Sequence, residues 1–405
     1  MINVSRLYLG IENSSDRFRY HSDSKSGPIV VYNCTSKCSQ NCLHCYSSTA
    51  ANSDELNTAQ AKQVLTQLAD VKCPVVLFSG GEPLERPDIF QLLDFSHRLG
   101  IRTVLSTNGN LIDSKIAQKL FDTGVNYVGV SIDGNQKTHE DFRGIQGSFE
   151  KATAAVKFCK AVNLKTGIRF TITNRNFNQI KYIFSLAAQL NIQRICFYHL
   201  ISAGRAAKNN LKCTSPQIRL ALNDILDCSQ DYSSKGVTEV LTVGNHADGP
   251  FILDRLECQN SPLYEKSLKL LEKFGGNKIG TKIFAIDPAG NVHPDQFWQN
   301  FSLGNITEKK LKDILANSFS IFNDKTVFAP PRCKKCRWLN ICGSNMRFFG
   351  SDLNSNWTLE PDCFLKDEEI LPRIFRSFLL ETDLTKYKIK SPNSTVSPAN
   401  TLAGS

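Results

Sequence analysis

The chain has 405 residues, 41% of them hydrophobic and 21% charged, with a formal net charge of +10. That length exceeds one ordinary core and calls for two domains, or one large α/β domain with an appendage. No run of about eighteen apolar residues occurs, so no membrane-spanning helix is expected. The opening MINVSRLYLG lacks a signal peptide's apolar stretch, which points to a cytoplasmic protein.

Residues 1–27 read as a leader segment with little periodicity. GPIVVYNCT (27–35) reads as a buried strand, and a cysteine loop follows it. TAQAKQVLTQLADV (58–71) has helical spacing, and PVVLFSGGEP (74–83) is a strand ending in a glycine turn. A helix closed by Gly100, the strand IRTVLSTNG, and a helix capped by Asp113 and ended by Gly124 come next. VNYVGVSIDG, KTGIRFTIT and QRICFYHLI then alternate as strands with two further helices. These six β-α repeats, with near-continuous apolar strands, predict a parallel sheet covered by helices. The expected fold is α/β, a partial (β/α)6 barrel over residues 28–240. A connecting segment is expected at 241–280 and a small cysteine-bearing domain at 281–370, opening with a hairpin at PAGN. The tail 371–405 is expected to be partly disordered, its last part from about 385 to 405 being low in apolar residues.

Fourteen cysteines are many for a chain in a reducing compartment, and they argue for metal or redox use over disulfides. Cys38, Cys42 and Cys45 lie at the C-terminal end of the first strand, where active sites of parallel α/β folds form. A closed zinc site takes four ligands, whereas three thiolates hold three corners of a [4Fe–4S] cluster and leave one iron open. Cys34, or His44, is the nearest candidate for a fourth ligand. Cys333, Cys336, Cys342 and Cys363 form a second group able to close a site fully, around zinc or a second cluster. The basic residues are scattered and not interleaved with aromatics, so nucleic acid is not the expected partner.

CxxxCxxC with Tyr46 beside its last cysteine, followed by SGGEP at the next strand end, resembles the radical S-adenosylmethionine (SAM) superfamily. The resemblance implies that Tyr46 covers the cofactor and that Gly80 and Gly81 let the backbone approach it. It implies that Glu82 and neighbouring carbonyls accept from the methionine ammonium. Ser131 and Asp133 are implied near the ribose, and Arg169 at the carboxylate. IDPAGNVHPDQF…CKKCRWLNICG…CF resembles the SPASM/twitch extension of these enzymes. Asp295 stands where that pattern usually has a cysteine, so one auxiliary cluster is expected, on Cys333, Cys336, Cys342 and Cys363.

VVLFSGGEPL, FYHLISAGR, VLTVGNHADGP and NVHPDQFW resemble the siroheme-branch enzymes of heme biosynthesis. That resemblance implies an iron tetrapyrrole substrate, 12,18-didecarboxysiroheme, and an electron donor such as ferredoxin or flavodoxin. HPDQFW and the AGR turn make pre-heme d1 synthase, which removes two propionates, the expected member of the branch. MINVSRLYLG and RICFYHL favour the alternative, Fe-coproporphyrin III synthase, which removes two acetates. A polycarboxylate suits a basic chain. Arg205 is the expected carboxylate clamp, and His199, His246 and His293 are candidate axial ligands of the substrate iron. Asp248 and Asp295 are further candidate contacts. The rivals are a peptide maturase with the same chemistry, a zinc-ribbon binding protein and a two-cluster electron carrier.

Overall fold

In a computed structural model, residues 1–16, 20, 26–46, 55–344 and 363–371 are described. The apolar runs build one sheet of eleven strands: β1 Ile2–Asn3, β2 Ile29–Thr35, β3 Val75–Gly80, β4 Arg102–Thr107, β5 Tyr127–Ser131, β6 Thr166–Ile172, β7 Arg194–His199, β8 Glu239–Val243, β9 Ile283–Ile286, β10 Asn291–His293 and β11 Gly304–Asn305. Their order across the sheet is β1-β8-β7-β6-β5-β4-β3-β2-β9-β10-β11. Neighbours from β2 to β8 pair in parallel, and β9 pairs in parallel with β2. The other pairings are antiparallel.

The six expected strands are β2 to β7, and the expected helices lie between them. Helix Thr58–Asp70 starts in a capping box made by Asn57 and Gln60, and helix Ser114–Asp122 starts on the Asp113 carboxylate. Their apolar faces bury Val64, Leu65, Leu68, Ala117 and Leu120 against the outside of the sheet. The inside differs. In β4, Thr103, Leu105 and Thr107 are buried under helices, while Arg102, Val104 and Ser106 stay half-buried. A closed eight-stranded barrel fills its interior with side chains; here the inward set faces cavities.

Three sequence expectations change. The barrel does not stop at residue 240: β8 straddles that boundary as a seventh parallel strand. The expected connecting segment carries helices Asp248–Cys258 and Tyr264–Phe274. The first residues are packed parts of the fold, with β1 on the sheet edge beside β8 and a short helix, Val4–Tyr8, behind it. Ser5 Oγ accepts from Val240 N at 2.9 Å, and Ser267 Oγ donates to the Leu7 carbonyl at 2.6 Å. A two-residue strand and a five-residue helix are too short to show periodicity.

The hairpin expected at PAGN is β9–β10, with the Asp287 carboxylate accepting from the backbone N–H of Ala289 and Asn291. Because β9 pairs with β2, the C-terminal part extends the barrel sheet. The tail from 372 onward lies outside the described residues.

Removing the Asp113 cap, whose Oδ1 accepts from Ile116 N at 2.8 Å, tests this helix layer. Asp113→Ala is expected to lower stability by about 1 kcal/mol, read as a lower urea midpoint with an unchanged slope.

Candidate active site

The loop after β2 leaves the sheet where β2 and β3 diverge. Gly81 N donates to the Thr35 carbonyl at 2.8 Å, and Glu82 N donates to the Lys37 carbonyl at 2.7 Å. A Cβ at Gly81 would land on the Lys37 carbonyl, and Gly80 has φ +127°, so both positions demand glycine. From the other side, Arg205 N donates to the Cys45 carbonyl, and Arg205 Nε donates to the Cys42 carbonyl, each at 2.9 Å. Leu43 N donates to the Phe142 carbonyl. Held this way, Cys38, Cys42 and Cys45 share the wall of one cavity of about 1050 Å³ at the C-terminal ends of the strands.

Tyr46, Gly80, Gly81, Glu82, Ser131 and Arg169 line the same cavity, as the sequence led us to expect. Tyr46 Oη donates to Asn33 Oδ1 at 3.1 Å, and its ring meets Phe297 edge-on at 5.1 Å. Glu82 is held differently from the expectation. Its carboxylate already accepts from Thr107 Oγ1 (2.8 Å), Asn108 N (2.7 Å) and Leu84 N (3.2 Å). Burial pushes its pKa up to about 7, against the pull of those donors. Glu82 therefore pins the end of β3 to the end of β4.

Asp133 is not on the cavity wall. It is buried, with Oδ2 accepting from Arg143 Nε at 2.7 Å and pairing with Arg143 Nη2. Burial alone would raise its pKa, but the Arg143 charge outweighs it and holds the carboxyl down at about 2. Arg143 in turn reaches the Cys42 sulfur, Nη1 to Sγ 3.6 Å. Cys34 points away from the triplet: it is wholly buried, and its Sγ donates to the Ser79 carbonyl at 3.5 Å. His44 does reach the cavity wall, packed edge-on against Phe142.

The expected substrate contacts divide. His199 lines the cavity, and its Nε2 lies 2.8 Å from buried Asp248 Oδ2, so Asp248 orients His199 instead of meeting a ligand. Arg205 lines the cavity but clamps the cysteine loop with its Nε. His293 is on the wall of no cavity described here; it donates from Nδ1 to the Phe301 carbonyl and faces Asp287 with Nε2. Asp295 Oδ1 caps the turn at Phe297 and Trp298.

Cys333, Cys336, Cys342 and Cys363 converge on a second cavity of about 530 Å³, with His246 on its wall. Arg332 Nη1 donates to Cys363 Sγ at 3.1 Å, and Trp338 N donates to Cys336 Sγ at 3.4 Å. Asn277 N ties the Cys342 carbonyl at 2.9 Å. Among the described residues no three His, Cys, Asp or Glu side chains meet as a single-ion site. Thiols spread around a cavity suit a group with volume of its own, and the three-thiol and four-thiol walls both fit a cluster.

The hollow interior forms a third cavity of about 1620 Å³. It shares Arg169, Tyr198, Gln296 and Phe297 with the first cavity. It shares Gly244, His246 and Asn277 with the second. The sequence reading missed this chamber. Its signal was an arginine in each of three apolar strands, Arg102 and Arg194 at the start of β4 and β7 and Arg169 within β6.

The radical SAM superfamily profile matches residues 32–187, and the profile of the SPASM iron–sulfur cluster-binding domain matches residues 278–337. Fe-coproporphyrin III synthase of Methanosarcina barkeri is 38% identical over 394 residues, spanning 91% of this chain and 99% of the relative. Pre-heme d1 synthase of Dinoroseobacter shibae is 32% identical over 354 residues, spanning 84% and 87%. The chain is a radical SAM enzyme of the heme-biosynthesis family. A radical SAM domain binds SAM and a [4Fe–4S] cluster, and a SPASM domain binds additional iron–sulfur clusters; this radical SAM enzyme has both domains. The solved anSMEcpe chain with bound AdoMet and Cp18Cys peptide shares its fold, at TM-score 0.65 and 20% identity over 89% of this chain and 99% of that one. Streptococcus suis SuiB bound to S-adenosylmethionine does so at TM-score 0.63 and 19% identity over 79% and 73%. None of the described helices of this chain is long and apolar enough to cross a membrane.

The helix Gln136–Arg143 that delivers Arg143 also buries His139, whose Nδ1 accepts from Asp133 N at 3.2 Å. Burial first, then the Arg143 charge, pushes the pKa of His139 from 6.5 down to about 3. On acidification the unfolded chain therefore binds this proton before the folded one. Through His139 stability is expected to fall as pH drops from about 6.5 towards 3, this one group contributing at most about 1.4 kcal/mol per pH unit. His139→Gln should flatten that part of a urea-midpoint against pH curve.

Proposed function

We propose that this radical SAM enzyme acts as an Fe-coproporphyrin III synthase, removing two acetate side chains from 12,18-didecarboxysiroheme. The observation that carries the reading is the chamber, which shares wall residues with both cysteine cavities. Its walls are largely apolar, as a macrocycle requires, with arginines and lysines set among them for carboxylates. The higher identity and near-complete coverage of the Methanosarcina relative support acetate over propionate loss. The two stretches that pointed to pre-heme d1 synthase have other work. HPDQFW makes a turn capped by Asp295, with Trp298 stacked on Phe301, and AGR supplies the clamp on the cysteine loop. Neither touches on which side chain leaves.

In this reading Cys38, Cys42 and Cys45 hold three irons of the SAM-binding cluster, and Cys333, Cys336, Cys342 and Cys363 hold an auxiliary one. With cluster and SAM bound and an electron supplied by a ferredoxin or flavodoxin, reductive cleavage of SAM provides the 5′-deoxyadenosyl radical for hydrogen abstraction. The protein's own part is to bind, orient and exclude water. The Gly80–Gly81 turn offers backbone polar groups to the methionine end of SAM, and Arg169 faces its carboxylate. Ser131 lies on the wall towards the ribose. Tyr46, Phe297 and Tyr198 close the junction between cofactor pocket and chamber. Of the three histidines expected to meet the substrate iron, His199, fixed by Asp248, and His246 line cavities, and either can offer it an imidazole.

The test is anaerobic reconstitution, then dithionite, SAM and 12,18-didecarboxysiroheme, with products read by mass spectrometry. Formation of 5′-deoxyadenosine with loss of two acetates is expected; loss of propionates instead would make the enzyme a pre-heme d1 synthase. If 5′-deoxyadenosine forms and the tetrapyrrole stays intact, the substrate reading falls and a peptide becomes the next candidate. Cys42→Ala is expected to remove about four irons per chain and abolish 5′-deoxyadenosine, while Cys336→Ala leaves the SAM-binding cluster's signal in place.

A further inference from the structure

The chamber is electrically lopsided. Its wall carries five cationic side chains, Arg102, Arg169, Arg194, Lys278 and Lys282, besides the Met1 amino group, and one carboxylate, Asp295. Four of the five lie at the end away from SAM. Arg102 and Arg194 are the first residues of β4 and β7, and Lys278 and Lys282 belong to the turn leading into β9. These strands run parallel, so the N-terminal ends form the floor, and the glycine turn and cysteine loop lie at the opposite end.

Arg194 is neutralised by Glu239, Nη2 to Oε2 2.6 Å. The lysines are not matched in this way. Lys282 donates to the Ser26 carbonyl at 3.2 Å. Lys278 is half-buried with its Nζ 6.0 Å above the Phe274 ring. Burial, then repulsion from Lys282, lowers its pKa, and no described carboxylate offsets this. A half-buried cation beside an apolar wall without an acid of its own, as Lys278 is, is unfavourable unless an anion joins it, and exposed Lys282 adds a second positive charge nearby.

We infer that Lys278 and Lys282, with Arg102 on the same wall at the N-terminal ends of the strands, form a carboxylate-binding floor that grips the side chains the substrate keeps. This rests on the tetrapyrrole reading above and adds an orientation to it. A flat apolar macrocycle seated with one carboxylate edge on the floor presents its opposite edge to the junction at Arg169, Tyr198 and Phe297. The side chains to be removed are on that opposite edge. The floor selects the reacting position by holding what does not react, a positioning role distinct from contact with the reacting carbon.

The probe is Fe-coproporphyrin III, compared with its tetramethyl ester, titrated into the reconstituted enzyme and followed by the Soret band. The free acid is expected to bind at least about tenfold more tightly than the ester, and more weakly as salt rises. The double variant Lys278→Met with Lys282→Met should lose about tenfold or more for the acid and little for the ester. Lys273→Met, on the exposed face of the preceding helix, should change neither. Iron content and SAM binding of the double variant check its integrity; if it does not assemble, the acid–ester comparison on the unaltered enzyme decides. Equal binding of acid and ester, or a double variant that binds the acid normally, overturns the floor and leaves the tetrapyrrole reading standing. If neither porphyrin shifts its Soret band with the unaltered enzyme, the tetrapyrrole reading falls and takes the floor with it.

Discussion

A strand points alternate side chains to opposite faces, and in this sheet only one of those faces is packed. The outer face is covered by helices and carries the main core. The inner face runs from β9 through β2 to β8 without a second layer against it. A sheet that wraps without closing cannot fill its inside, so Val104 of β4 and Tyr198 of β7 stay half-buried on cavity walls. The chamber is thus a consequence of strand count and curvature, and it sets the size of what can react.

The cysteine loop raises a second problem, because a loop of small polar residues has little apolar surface to anchor it. The chain answers with backbone hydrogen bonds from both sides. The glycine turn after β3 donates to Thr35 and Lys37, and the turn after β7 donates to Cys45. Arg143 completes the support. Held by Asp133 in a buried pair, it reaches the Cys42 sulfur from behind. A lone buried guanidinium would be costly, and Asp133 meets that cost with two contacts. The pair fixes the loop's geometry more than it adds stability.

Much of this was legible. Apolar runs between turn residues gave β2 to β7, and CxxxCxxC with GGEP placed two halves of one pocket that coincide in space. What remained hidden shares a cause: the deciding partner is distant in sequence or on an element too short to see. Asp133 sits before a glycine, where a turn residue and a ribose contact look alike. Arg143, ten residues on, lies on an eight-residue helix that was not expected. Asp248 and His199 are 49 residues apart, and nothing in their surroundings announces the pair. Arg205 resembles a ligand clamp in sequence because a guanidinium grips backbone carbonyls as readily as carboxylates. The chamber itself follows from a sheet left open, and hydrophobic pattern does not distinguish an inner face that is packed from one that is hollow.

The pairing of β9 with β2 draws these parts together. β2 ends in the cysteine triplet, and β9 opens the segment that leads to the second cysteine group. One ladder therefore fixes the distance between the two candidate cluster sites. The same connection brings Phe297, just beyond β10, against Tyr46 just beyond the triplet. The C-terminal part thus supplies a wall of the cofactor pocket and a wall of the chamber, besides housing its own thiols. Removing it would take away the part of the chamber wall that Lys278, Ile279, Ile283, Gln296 and Phe297 supply, so its presence has a role in enclosure apart from its thiols.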